Sequence, residues 1–159
     1  MSATTLLLAV GNVLRGDDGV AARVLDHVLD QLGAGAGAQA MAVHGLTPEL
    51  AEAVAAVGAV VILDADVGAA TVTLEPLPEA AAGRGTGRVL SHSLTPAALI
   101  ALARQLYGFN GAAWLCRLPA RQLAYGTALS AVAEAAACEG ARQLRALLGS
   151  RDRLQGDEP

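Results

Sequence analysis

The sequence predicts an α/β protein: a three-layer α/β/α sandwich around a mostly parallel five-stranded sheet, with one edge strand antiparallel. Three observations carry that prediction. Apolar runs of strand length alternate with stretches whose apolar residues recur at helical spacing, in the order β-α-β-α-β-β-α-β-α. Most of the runs are apolar throughout instead of alternating, which is how strands read when helices cover both faces of a sheet. Finally, 53% of the 159 residues are hydrophobic but only 3% are aromatic, so the core has to be assembled from Ala, Val and Leu within a single domain of ordinary size.

Each element has its own signature. Thr4 to Val10 is an apolar run closed by Gly11 and Asn12. Val20, Val24, Leu25, Val28 and Leu32 then mark one face of a helix that ends at the glycines at 33, 35 and 37. Residues 38 to 43 give a weak strand, and a second helix is expected from Pro48 to Val57, with Thr47 as its cap and Pro48 at the first helical position. Ala59 to Leu63 (AVVIL) is β-branched and bounded by Gly58 and Asp64, which makes it the central strand. Thr71 to Leu74 reads as an edge strand before the Gly-rich loop LEPLPEAAAGRGTGR. Thr95 and Pro96 open a third helix to Tyr107, residues 112 to 118 form the last buried strand, and an Ala-rich helix starting at Thr127 or Ser130 runs to Leu148, with Gly140 as a possible bend. The domain is expected to span 1 to 149, with 150 to 159 as a charged tail that frays.

Charge and composition exclude several classes of function. The 11 basic residues are all Arg and scattered, and the formal net charge is −4, so no nucleic-acid footprint is present. No apolar run reaches the roughly 18 residues of a membrane span. The N-terminal stretch has neither a basic leader nor a small-residue cleavage site, and a cytoplasmic protein is expected. Cys116 and Cys138 lack CxxC spacing and are read as reduced thiols.

Ligands of doubly wound sheets bind beyond the carboxyl ends of the strands, beside a topological switch point. Three stretches occupy such positions here: GNVLRGDDG after the first strand, Asp64 after the third, and His92 in SHSLTP before the third helix. Each has a structural alternative. Asp18 stands where a helix cap would stand, Asp64 where a strand-end residue binds a neighbouring loop, and His92 where a loop histidine bonds its own backbone. A single cap leaves the pair Asp17 and Asp18 unexplained, because one cap needs one side chain and a second carboxylate adds repulsion that a cation would offset. Two carboxylates and an imidazole form an open O,O,N set suited to a borderline divalent ion such as nickel, zinc or cobalt. An internal echo, HGLTPEL at His44 and HSLTPAAL at His92, repeats the pattern HxLTPxxL. His27, among Asp26, Asp30 and Gln31, reads as a solvated surface residue. Phosphate-cradling loops and the GxSxG elbow are missing, which weakens nucleotide binding and covalent hydrolysis as readings.

GNVLRGDDGV, the strand VVILDA ending at Asp64, the SHSL motif at His92 and the late segment LAYGTALS occur together and in order. In these features the sequence resembles the nickel-iron hydrogenase maturation proteases over almost the whole chain to residue 148. The resemblance implies that Asp18, Asp64 and His92 contact a metal. It implies an aspartyl-type endopeptidase that removes the C-terminal extension of a nickel-iron hydrogenase large-subunit precursor after nickel insertion. The nickel is carried by that precursor, and the free enzyme is metal-free or adventitiously loaded. Many members have an acidic residue after the second strand, where this sequence has His44 and Gly45. The expected catalytic groups are Asp18, Asp64 and Asp17, with Asp17 or Asp64 as general base or the substrate's nickel activating water. The stretch from Arg117 to Tyr125, including Arg121 and Gln122, is either a peptide-holding loop or a solvated connection. Two other readings remain: an assembly factor that binds the nickel-loaded precursor without cutting, and a nucleotide- or sugar-phosphate-binding domain.

Overall fold

In a computed structural model, residues 4–32, 37–78 and 93–156 are described. The glycines at 33 and 35, most of the Gly-rich loop, and His92 lie outside the described residues. The strands are β1 (Thr5–Val10), β2 (Ala38–Val43), β3 (Ala59–Asp66), β4 (Thr73–Pro76) and β5 (Ala112–Pro119). The helices are α1 (Val20–Leu29), α2 (Leu50–Ala55), α3 (Pro96–Tyr107) and α4 (Ala131–Gly156). The strands form one sheet in the order β2-β1-β3-β5-β4, with β4 antiparallel to β5 and every other pair parallel. Element order, the mostly parallel sheet and the antiparallel edge strand all match the sequence expectation.

The two faces of the sheet separate by strand periodicity. Leu7, Ala9, Val61, Leu63, Cys116 and Leu118 point toward Val20, Val24 and Val28 of α1 and Ala137, Ala141 and Leu144 of α4. Leu6, Leu8, Val60 and Ile62 point the other way, onto Val54 of α2 and Leu99, Ile100 and Ala103 of α3. With so few aromatic residues the layers close through small side chains. Gly140 has a packing role: a Cβ there would lie 2.8 Å from Leu118 Cδ2 and 3.2 Å from Val24 Cγ2, so its missing side chain lets α4 approach both β5 and α1.

Several boundaries differ from the sequence reading for local reasons. At α2 the expected Thr47 cap does not form, because the Thr47 hydroxyl bonds the Glu49 carboxylate, holding it below its ordinary range. The turn is made instead by Leu50 N and Ala51 N donating to the carbonyls of Thr47 and Pro48, and the helix is shorter than expected. At α3 the same Thr-Pro pair caps as expected, with Thr95 Oγ1 accepting from Ala98 N at 3.1 Å. Helix α4 continues past Leu148 to Gly156, and the Arg151 guanidinium lies 5.1 Å from the Trp114 ring centroid, a cation–π contact that ties the charged end down. His27 is not simply solvated: its Nε2 is buried without a hydrogen-bond partner. Cys116 is buried in β5, where burial pushes its thiol up to about 12, and Cys138 is exposed. Among the described residues no helix is long and apolar enough to cross a membrane.

Candidate functional site

The chain leaves β1 toward β2 through α1 and returns through α2 to β3 on the other side of β1. The crevice above β1 and β3 is therefore the switch point, where an open α/β sheet receives its ligand. Val10, the last residue of β1, is in register with Asp64 on β3, and Asp64 with Arg117 on β5.

Gly11 makes the turn that follows β1. Its φ of 144° is left-handed, and a Cβ would overlap the Asp18 carbonyl oxygen, so only glycine lets the loop fold back this closely. Asn12 Oδ1 accepts from Leu14 N at 2.9 Å, and Asn12 N donates to Asp18 Oδ2 at 2.7 Å. A single 3₁₀ turn, Gly16–Gly19, then leads into α1, whose cap position is Gly19 with no side-chain cap bond. Asp18 is thus not the helix cap. Its carboxylate is directed back over the end of β1, half-buried.

Asp64 is also half-buried, and β3 extends two residues beyond it to Asp66. Burial, the negative charge of Asp18 and that of Asp66 raise Asp64 to about 6, against the Ala65 N–H and the Arg117 guanidinium, which pull it down. Asp18 and Asp64 therefore form a charge-coupled pair across the switch point. A carboxyl poised near 6 is suited both to accepting a proton and to meeting a cation.

Asp17 behaves differently from its neighbour. It is 0% exposed, and its carboxylate accepts from Ser130 N and Ser130 Oγ at 2.7 Å each, Arg121 N at 2.8 Å and Gln122 N at 3.0 Å. Burial alone would raise it, but these four donors outweigh burial and hold it below the ordinary carboxylate range. Asp17, expected as a candidate general base, is a carboxylate already held by four donors, three on Oδ2 and one on Oδ1, which tether the loops around it. Its backbone joins the same tie, with Asp17 N donating to Gln122 O and Gly16 N to Gly126 O, both at 2.8 Å.

Arg121, in the stretch read as either a peptide-holding loop or a solvated connection, turns its guanidinium onto the backbone. Nη1 donates to Ala120 O at 2.9 Å and Val67 O at 3.3 Å, and Nη2 to Ala69 O at 2.9 Å. Tyr125 in the same stretch is 89% exposed.

Residues 45–46 and 93–94 of the two HxLTP segments lie side by side. Leu94 N donates to Leu46 O at 2.8 Å, and a Cβ on Gly45 would lie 2.5 Å from Ser93 Oγ. His44 is exposed at the end of β2, where Val43 O accepts from Gly11 N at 2.9 Å. His92 lies outside the described residues, and among the described residues no group of three His, Cys, Asp or Glu side chains is placed to hold a metal. The described part of the site is the pair Asp18 and Asp64. Sequence reasoning missed Asp66, although the spacing in LDAD puts it on the same side of the strand as Asp64, and it read Ser130 as a helix start at the end of LAYGTALS without foreseeing its bonds to Asp17.

The sequence matches no family model and no curated protein. The fold has clear relatives among solved structures. Over 92% of this chain it superposes on 93% of the hydrogenase maturating endopeptidase HybD from E. coli, with a TM-score of 0.76 and 20% identity. The [NiFe] hydrogenase maturation protease HycI from Thermococcus kodakarensis gives a TM-score of 0.72 at 15% identity, covering 92% of this chain and 93% of that one. A hydrogenase 2 maturation peptidase from a Thaumarchaeota archaeon gives 0.64 at 23% identity, covering 92% and 98%. The chain has the fold of the hydrogenase maturation proteases.

Proposed function

We propose that this protein is a cytoplasmic endopeptidase that removes the C-terminal extension of a nickel-iron hydrogenase large-subunit precursor once nickel has been inserted. The observation that supports this reading is the charge-coupled pair Asp18 and Asp64 at the switch point of a fold shared with hydrogenase maturation endopeptidases. In this reading the nickel arrives with the substrate. Asp18 and Asp64 offer it hard oxygen donors and His92 an imidazole, a set that suits a borderline divalent ion and leaves positions open. Asp64 takes the general-base role, since its raised pKa leaves it able to accept a proton from water near neutral pH and Asp17 is fully engaged elsewhere. A nucleotide or sugar phosphate suits this crevice poorly, because the two carboxylates Asp18 and Asp64 at the switch point repel an anion.

The test is to incubate the purified protein with nickel-loaded precursor and follow the mass of the large subunit. Loss of the extension with wild-type protein, and its retention with Asp18→Ala or His92→Ala variants that keep the wild-type circular dichroism, is the expected result. Complex formation with no change in mass assigns the protein to assembly without cleavage. Normal processing by both variants overturns the assignment of the site.

A further inference from the structure

Three loops meet at the rim of the sheet: the turn after β1 that carries Asp17 and Asp18, the turn after β3 at residues 67–69, and the connection from β5 to α4. Two side chains join them. Asp17 fixes the third loop to the first through Arg121 N, Gln122 N and Ser130. The Arg121 side chain then fixes the third loop to the second, through the carbonyls of Val67 and Ala69, and steadies its own backbone at Ala120 O. The second loop is the continuation of the strand that carries Asp64. It is closed on itself by Gly68 N donating to Asp66 Oδ1 at 2.8 Å, and Asp66 O accepts from Ala120 N at 3.2 Å.

Resting on the function proposed above, we propose that Arg121 is a positioning residue that holds the loop after β3 against the loop bearing Asp18, so that the two carboxylates face one another at the rim without Arg121 touching the substrate. The physical need is plain. Asp64 is fixed in β3 by its neighbours β1 and β5, whereas Asp18 lies on a loop, the more compliant part of a fold, and is repelled by the like charge of Asp64. Without a brace, the loop bearing Asp18 relaxes away from the end of β3, and a metal or water the two carboxylates would share is met by only one of them. A guanidinium suits this task because its planar fork presents several donors in fixed directions, reaching three carbonyls at once. A lysine offers one ammonium on a flexible stem and bonds one or two of them loosely.

The full-length variants Arg121→Ala and Arg121→Lys test this with two readouts. In the free protein, amide exchange at Gly68 and Ala69 is expected to accelerate about tenfold in both, while Val61 and Ile62 in the middle of β3 keep their wild-type protection. With nickel-loaded precursor, kcat is expected to fall about tenfold in both variants, with at most a severalfold rise in KM from a loosened contact to the substrate's nickel, the pattern of misplaced groups at the reacting centre. A raised KM at unchanged kcat would make Arg121 a clamp on the substrate and overturn the proposal. So would unchanged exchange at 68 and 69, or a lysine variant indistinguishable from wild type, since charge alone would then suffice. If wild-type protein leaves the precursor uncut, the functional reading falls by itself, and the exchange rates still decide whether Arg121 braces the loop.

Discussion

Asp17 and Asp18 are adjacent in sequence and identical in chemistry, yet they belong to two different regions. Asp17 faces inward into a knot of loop backbone, where four donors surround its carboxylate and lower its pKa. Asp18 faces the rim, where one backbone N–H meets one of its oxygens and its charge raises Asp64. The knot satisfies its charge completely and so stabilises the fold. The rim leaves its negative charge less fully compensated, which raises Asp64 and costs stability. A carboxylate's role here is set by how many donors the fold brings to it, not by its position in a motif.

The largest expected effect is on activity. Asp64→Asn keeps the shape of the side chain but removes the proton acceptor, and it is expected to slow processing of nickel-loaded precursor by about 10³-fold, read from the rate at which the extension is lost. A slowing of less than about tenfold would remove Asp64 from the chemistry. Next comes stability. Asp17→Ala strips four donors of their acceptor at once, leaving backbone N–H groups orphaned, and is expected to lower the unfolding free energy by about 3 kcal/mol in urea titrations. An effect below about 1 kcal/mol would mean that water replaces the carboxylate and that the knot is not what holds the loops.

The two regions also carry opposite pH signatures. The folded-state pKa of Asp17 is depressed, so its stabilisation is present at neutral pH and fades as pH falls through that lowered value. Asp64 is raised from 3.8 to about 6, so in the folded state its protonated form is favoured. Its contribution to stability is intact below about pH 4 and is lost as pH rises through about 6. Asp64→Asn is therefore expected to stabilise the protein by about 1 kcal/mol at pH 7, solvent screening having reduced the bare electrostatic figure, and to change little at pH 4. Paired urea melts at the two pH values check this. A destabilised variant at pH 7 would mean that the rim is not under electrostatic strain.

The layered fold was legible because it rests on periodicities. The apolar runs Leu6 to Val10 and Val60 to Leu63 state a doubly covered sheet without reference to anything distant in sequence. The pairing of Asp18 with Asp64 was legible one step further on, through the rule that strand ends at a switch point converge. What could not be read was anything set by the far side of a loop. Asp17 is engaged by Ser130, 113 residues away, and Arg121 by carbonyls of residues 67 and 69. No local pattern encodes those contacts. Sequence alone therefore names Asp17 as a candidate general base and leaves Arg121 between a peptide-holding loop and a solvated connection, without sight of the partners that each has within the protein.

The same lesson appears in miniature in the repeated Leu-Thr-Pro segment, and it yields the smallest effect. Thr95 caps α3 because residue 97 is alanine and nothing competes for its oxygen near the Ala98 N–H. Thr47 sits in the same local sequence, but Glu49 follows two residues later and takes its hydroxyl, so the cap position passes on and α2 begins uncapped. Thr95→Ala is expected to lower the unfolding free energy by about 1 kcal/mol, as the loss of a helix cap does. Thr47→Ala removes only an exposed bond to Glu49, and its effect should fall below about 0.5 kcal/mol. Equal losses from the two substitutions would show that the Thr-Pro pair acts through its own backbone preference and that the neighbour at the second position after threonine is irrelevant. A restored cap in Glu49→Ala, seen as a longer and more exchange-protected α2, would show the reverse: one competing carboxylate decides whether this sequence caps a helix.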